Sequence, residues 1–117
     1  MKVRRIVANL ECQNLEAASA FYQTLLGLDV LMDHGWIKTI GSDERMTVQF
    51  SLVREGGSGA SVPDLSIEVD DLSTALERAR QLGIPIVYGP AVERWGVRRF
   101  YVRDPLGKLI NILEHQR

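Results

Sequence analysis

The chain is written twice, and that repeat limits its fold more than any other feature. An offset of 57 residues carries Val7 onto Asp64 and Asn14 onto Asp71, so VANLECQNLEAASAFYQTLLG and DLSIEVDDLSTALERARQLG lie in register. Each copy opens with an alternating apolar and polar stretch and passes a side-chain acceptor, Asn14 or Asp71, suited to capping a first helical turn. A helical pattern follows and stops at Gly27 or Gly83, residues able to take the left-handed conformation that ends a helix. Leu15, Ala18, Phe21, Tyr22 and Leu25 recur at helical spacing in the first copy, and Leu72, Ala75, Leu76, Ala79 and Leu82 in the second. Each helix therefore has one face to bury.

Three strand-like runs follow each helix. In the first copy they are LDVLMD, WIKTI and RMTVQFSLV; in the second, IPIVYG, VRRFYVR and KLINILE, with DPLG as the last turn. Each copy is thus a βαβββ module: module one covers about residues 1–54, EGGSGASVP at 55–63 is a flexible linker, and module two covers 64–117. Neither module buries enough surface to stand alone, so the 117 residues form a single domain of the α+β class.

Composition excludes several functions. The net charge of −1 gives no pull towards nucleic acid, and no apolar run approaches the roughly 18 residues that a membrane span requires. MKVRRIVANLEC alternates and lacks a small-residue cleavage site, so it reads as a strand rather than a leader. The single cysteine, Cys12, permits neither an internal disulfide nor a cysteine-based zinc cage, which fits a cytoplasmic protein.

The order of AFYQTLLGLDV, VDDLSTALERARQLGIPI and RFYVRDPLGKLINIL over essentially the whole chain resembles the vicinal oxygen chelate superfamily, the group of glyoxalases, bleomycin-resistance proteins and extradiol dioxygenases. The resemblance implies tandem βαβββ modules whose sheets form a curled mixed sheet around a central cleft, with helices outside, in a chain that forms a homodimer. It also implies a divalent metal in the enzymes of the group and a metal-free cup in its antibiotic-binding members. Carried over by register, the four metal positions fall on Val7, Gln49, Asp64 and Asn111. Val7 has no donor atom and Asn111 offers a neutral amide where a carboxylate is usual. Only Asp64 carries a charge, so no metal cofactor and no catalytic residue is expected.

Strand alternation assigns the faces. Ile6, Ala8, Leu10 and Cys12 form the helix-side set of the first strand, leaving Val7, Asn9 and Glu11 for the cleft; Leu65, Ile67 and Val69 leave Asp64, Ser66 and Glu68. Met46, Val48, Phe50 and Leu52 go to the core, leaving Thr47, Gln49 and Ser51. In the last strand Ile110 and Ile112 go to the core, leaving Leu109, Asn111 and Leu113. Glu114 shares the face of Ile110 and Ile112 and, like His115, reads as a solvated strand end, while His34 lies in a surface turn. Two roles fit Trp36 and Trp95: a stacking clamp at the lips of the cup, or a dimer interface. Arg99, beside Tyr101, suits either an anionic ligand group or an ion pair, and Asp64 either the cleft or the backbone at the linker exit.

Together these readings give a metal-independent binder of an aromatic or heteroaromatic metabolite or antibiotic. Its candidate ligand-binding residues are Val7, Asn9, Trp36, Gln49, Asp64, Trp95, Arg99, Tyr101 and Asn111. A divergent metal-dependent lyase, isomerase or dioxygenase is the first alternative, and a ligand-sensing or partner-binding module the second.

Overall fold

A computed structural model describes all residues except 1, 3, 6, 46–48, 50 and 117. The element order is α1 (Leu15–Leu26), β1 (Asp29–Asp33), β2 (Lys38–Gly41), β3 (Leu65–Glu68), α2 (Leu72–Gln81), β4 (Tyr88–Glu93), β5 (Val97–Arg103) and β6 (Leu109–His115). The α+β class holds, with two helices and two sheets among the described residues.

Module two is complete. Its four strands lie in the order β3-β6-β5-β4, with β3 parallel to β6 and the other pairs antiparallel. A parallel β3–β6 pair requires the chain to cross over the sheet, and α2 makes that crossing. The helix packs its Leu72, Ala75, Leu76 and Ala79 face onto Phe100, Val102, Ile110 and Ile112, while Tyr22 and Leu25 of α1 join the same core. The alternation in module two is as read from the sequence: Leu65, Ile67 and Val69 lean on the core, and Asp64, Ser66 and Glu68 are exposed on the other face. We call that other face of the sheet the open face.

The helix boundaries follow their caps. The Asn14 side chain accepts the Ala17 N–H and that of Asp71 accepts the Thr74 N–H, while Gly27 adopts φ 68° and closes α1 on the Gln23 carbonyl. Leu82 departs from expectation: it follows the last helical residue and is exposed rather than buried. Glu114 also has more to do than meet solvent. Its carboxylate accepts the Leu72 N–H at 3.0 Å, so a side chain from β6 caps α2 across the sheet, with Arg98 3.9 Å away.

Module one differs from its sequence reading. Helix α1 and the β1–β2 hairpin form, but residues 7–12 are not in a strand. An alternating pattern supplies a face, not a hydrogen-bonding partner, and a strand exists only where a neighbour completes its ladder. The run 45–53, also expected to be a strand, forms none at its described residues, and Leu52, assigned to the core, is 89% exposed. Met46, Thr47, Val48, Phe50 and Ile6 lie outside the described residues. Leu10 does pack on the core as alternation requires, whereas Ala8 is exposed.

One strand of module two is displaced. IPIVYG was expected to be a strand, but β4 begins only at Tyr88, with Ile84 and Ile86 packed against the core ahead of it. The pairing slips between Tyr88 and Ala91, around Gly89 and Pro90, because proline has no N–H for the ladder.

Candidate functional site

The open face of module two carries a cluster centred on Arg99. Alternation puts Arg99 and Tyr101 on this face of β5, and the β4–β5 register sets Ala91 opposite Arg99 and Glu93 opposite Val97. The Arg99 guanidinium carbon lies 5.2 Å from the ring centroids of Tyr88, Trp95 and Tyr101 alike, a cation held among three π faces. Arg99 is only 4% exposed.

The polar contacts of the cluster are specific. Arg99 Nη1 donates to the Tyr101 hydroxyl at 3.1 Å and Nη2 to the Gly57 carbonyl at 3.2 Å, and Nε lies 3.5 Å from Glu93 Oε1 without a hydrogen bond. Glu93 accepts hydrogen bonds from the Tyr88 hydroxyl on one oxygen and from the Ser58 hydroxyl on the other. The Tyr101 hydroxyl lies 3.1 Å from the Ser61 carbonyl and 3.4 Å from that of Gly56. The hydrogen bond from Ser58, then that from Tyr88, and the nearby Arg99 charge hold the Glu93 carboxyl below the usual range, against the opposing effect of burial. Burial pushes the Tyr101 phenol up, with the Arg99 charge acting against it.

A pH dependence follows from Glu93. Its folded-state pKa is depressed, so its contribution is present above the unfolded carboxyl value of about 4.3 and is lost as pH falls through the lower folded value. The stability advantage of the wild type over Glu93→Gln, read as the difference in melting temperature, should therefore narrow from pH 7 to pH 3. A difference that stays constant over that range would remove the linkage.

The linker is part of this cluster. Residues 56–61 form a turn closed by Gly56 N–H to Ala60 O and Ala60 N–H to Gly57 O, and the turn lies as a strap over Arg99 and Tyr101. Beneath residues 59–61 is a pocket of about 230 Å³, lined also by Val87, Tyr88, Tyr101, Arg103 and Leu109. Sequence reasoning took this segment for a free linker and passed over Tyr88, Glu93 and Ser58. A usable signal was present: Glu93 lies two residues before Trp95, in the strand preceding Arg99, and a Gly-Gly pair permits close approach.

The other sequence-assigned residues lie elsewhere. Val7, Asn9 and Trp36 line a second cavity of about 480 Å³ between residues 7–12, α1 and β2, with Trp36 at 80% exposure. Neither of these two cavities is lined by Trp95. Gln49 is exposed, outside any strand, and lines neither cavity. Asp64 is paired with Leu109 twice: its N–H donates to the Leu109 carbonyl, and its carboxylate accepts the Leu109 N–H, both at 2.8 Å. Asn111 is buried and donates to the Ser66 hydroxyl at 3.0 Å, leaving its amide oxygen without a partner. His115 meets Glu68 at 3.0 Å on the open face.

The positions that the resemblance assigns to a metal do not fit one. Val7 has no donor, Gln49 is outside any strand, and the single carboxylate, Asp64, already accepts a backbone N–H. Among the described residues, no three His, Cys, Asp or Glu side chains come together. Nor is any described helix long and apolar enough to cross a membrane.

Solved structures share this architecture over nearly the full chain. TioX from Micromonospora sp. ML1 is 17% identical, with a TM-score of 0.66 over 97% of each chain. TnmS3, an antibiotic binding protein from Streptomyces sp. CB03234, is 22% identical, with a TM-score of 0.65 over 89% of this chain and 88% of its own. A protein of unknown function from Agrobacterium tumefaciens str. C58 is 19% identical, with a TM-score of 0.70 over 97% of this chain and 96% of its own. At these identities the likeness is one of fold, and no curated protein matches the sequence. The family model matches residues 6–112, so the repeat, the caps and the β3-β6-β5-β4 sheet are those of a member of the Glyoxalase/Bleomycin resistance protein/Dioxygenase superfamily, to which this chain belongs.

Proposed function

We propose that the protein binds a small aromatic or heteroaromatic molecule, a metabolite or an antibiotic, without a metal. The observation that carries this reading is the ring of Tyr88, Trp95 and Tyr101 around Arg99, beside a pocket of about 230 Å³. Apolar walls with a few fixed hydrogen-bonding groups are the usual makeup of a small-molecule site, and π faces favour flat ligands. The antibiotic-binding TnmS3 has the same fold, which supports the class of ligand. The donor set at Val7, Gln49, Asp64 and Asn111 supports metal independence, since it holds a single carboxylate, one oxygen of which already accepts the Leu109 N–H. The protein is read as a cytoplasmic homodimer, and the exposed Leu31, Trp36, Leu52 and Val53 supply apolar surface for a partner copy.

Tryptophan fluorescence across a panel of antibiotics and aromatic metabolites tests this, with Trp36→Phe isolating the Trp95 signal. Saturable quenching is expected, and Trp95→Ala should weaken the bound compound about fivefold, the order of one aromatic contact. Full affinity in Trp95→Ala would move the site away from the cluster. Titration with Zn, Ni, Mn and Fe should show no stoichiometric uptake; tight binding of one metal per chain would favour the lyase or dioxygenase alternative.

A further inference from the structure

The strap lies where a ligand would lie, and its contacts are of a kind that a ligand can replace. The carbonyl oxygens of Gly56, Gly57 and Ser61 face the Tyr101 hydroxyl and the Arg99 guanidinium, so three neutral acceptors occupy the donor side of the cluster. The strap approaches the cluster closely at Gly57. A Cβ on Gly57 would stand 2.8 Å from the Trp95 ring, and its φ of +84° disfavours other residues. One donor is still unused, because Arg99 Nε–H is buried without a hydrogen-bond partner. The strap does not fill the face either, since the pocket of about 230 Å³ lies beneath residues 59–61 against Tyr88 and Tyr101.

Charge selects the ligand. Glu93 lies 3.5 Å from Arg99 and already offsets its charge, so a carboxylate ligand would bring a second negative charge into the cluster and a cation would meet Arg99. An uncharged acceptor keeps the balance that the strap carbonyls now provide. We propose that the strap is an internal stand-in for the ligand: the site takes a planar, uncharged aromatic bearing carbonyl-type oxygens, which displaces residues 56–61 from Arg99 and Tyr101. This rests on the binding reading above. The strap closes on itself through the Gly56–Ala60 and Ala60–Gly57 hydrogen bonds, so it can lift as a unit. The affinity observed is then the intrinsic affinity reduced by the fraction of molecules with the strap open.

The test uses coumarin and naphthalene, flat molecules of similar size that differ in the lactone, with binding to the full chain followed by calorimetry. Coumarin should bind wild type about tenfold tighter than naphthalene, as one added hydrogen bond allows. Gly57→Ala, which strains the strap at its positive φ and crowds Trp95, should tighten coumarin about fivefold. Ser58→Ala, which frees the strap from Glu93 without a steric clash, should move affinity the same way by about twofold. Equal binding of the two probes, no tightening in both variants, or coumarin-3-carboxylate binding tighter than coumarin would each overturn the stand-in while leaving aromatic binding intact. If neither coumarin nor naphthalene nor any panel compound binds, the binding reading falls, and this inference falls with it.

Discussion

Arg99→Ala should lower unfolding stability by about 3 kcal/mol, the lower end of the cost of breaking a buried ion pair from one side. The physical reason lies in what is left behind. Glu93 would remain nearly buried with no cation at 3.5 Å, the Tyr101 hydroxyl and the Gly57 carbonyl would each lose a donor, and three rings would face a void. Equilibrium urea unfolding measures this as a lower midpoint with little change in slope. A second variant separates the ion pair from packing: Arg99→Met keeps most of the stem, and combined with Glu93→Gln it removes both charges. The double variant should recover at least about 1 kcal/mol relative to Arg99→Met alone, because no unpaired carboxylate is left in the cluster. If Arg99→Met alone is as stable as wild type, the pair does not hold this face together.

Asp104→Ala should cost a similar amount, about 3 kcal/mol, by a different route. Asp104 is buried in the DPLG turn between β5 and β6, where one oxygen accepts the Leu106 and Lys108 N–H groups at 2.9 and 2.8 Å. Its other oxygen accepts the Tyr22 hydroxyl at 2.6 Å, tying α1 of module one to the last turn of module two. Removing the carboxylate frees the turn and strands a buried hydroxyl, whereas Asp104→Asn keeps an acceptor and should cost only about 1 kcal/mol. Tyr22→Phe removes the donor alone. A double-mutant cycle of Tyr22→Phe with Asp104→Ala should show a coupling of about 1 kcal/mol, and strict additivity would deny the tie.

The Tyr22–Asp104 contact also has a pH signature. Burial of the phenol, and then its hydrogen bond to Asp104, raise the Tyr22 pKa far above its ordinary value. A raised pKa gives stability that is present below the unfolded value of about 10 and lost as pH rises beyond it, because only the unfolded chain can then ionise. Melting curves above pH 10 should therefore fall more steeply in wild type than in Tyr22→Phe.

Much of module two was legible because its signals are local. Asp71 announces its cap through side-chain chemistry alone, as Asn14 does in module one, and Leu65, Ile67, Ile110 and Ile112 reveal their face by alternation, which no distant residue can alter within a paired strand. β4 was misplaced by four residues because IPIV is as apolar as a strand, and only the slip at Gly89 and Pro90 decides where pairing begins. Module one was less legible. The alternation at 7–12 has the right period, yet those residues form no strand, because period supplies a face and not a hydrogen-bonding neighbour.

The candidate site divides along the same line. Alternation alone put Arg99, Tyr101 and Asn111 on one face, and the residue types at Val7 and Asn111 already argued against a chelating set. Two outcomes depended on contacts between segments distant in the chain. Glu114, read as a solvated strand end, caps a helix 42 residues earlier, and Arg99 is clasped by a linker 42 residues before it. The sequence by itself determined the repeat, the caps, the faces of the module-two strands and the superfamily, since each depends on neighbours within a few residues or on the order of whole motifs. Only the tertiary structure decided that Gly56 to Ser61 is a strap, that Tyr88 and Glu93 complete the Arg99 cluster, and that Asp64 is bound to Leu109. Those are meetings of groups remote in sequence, set by how the chain packs and by no local preference.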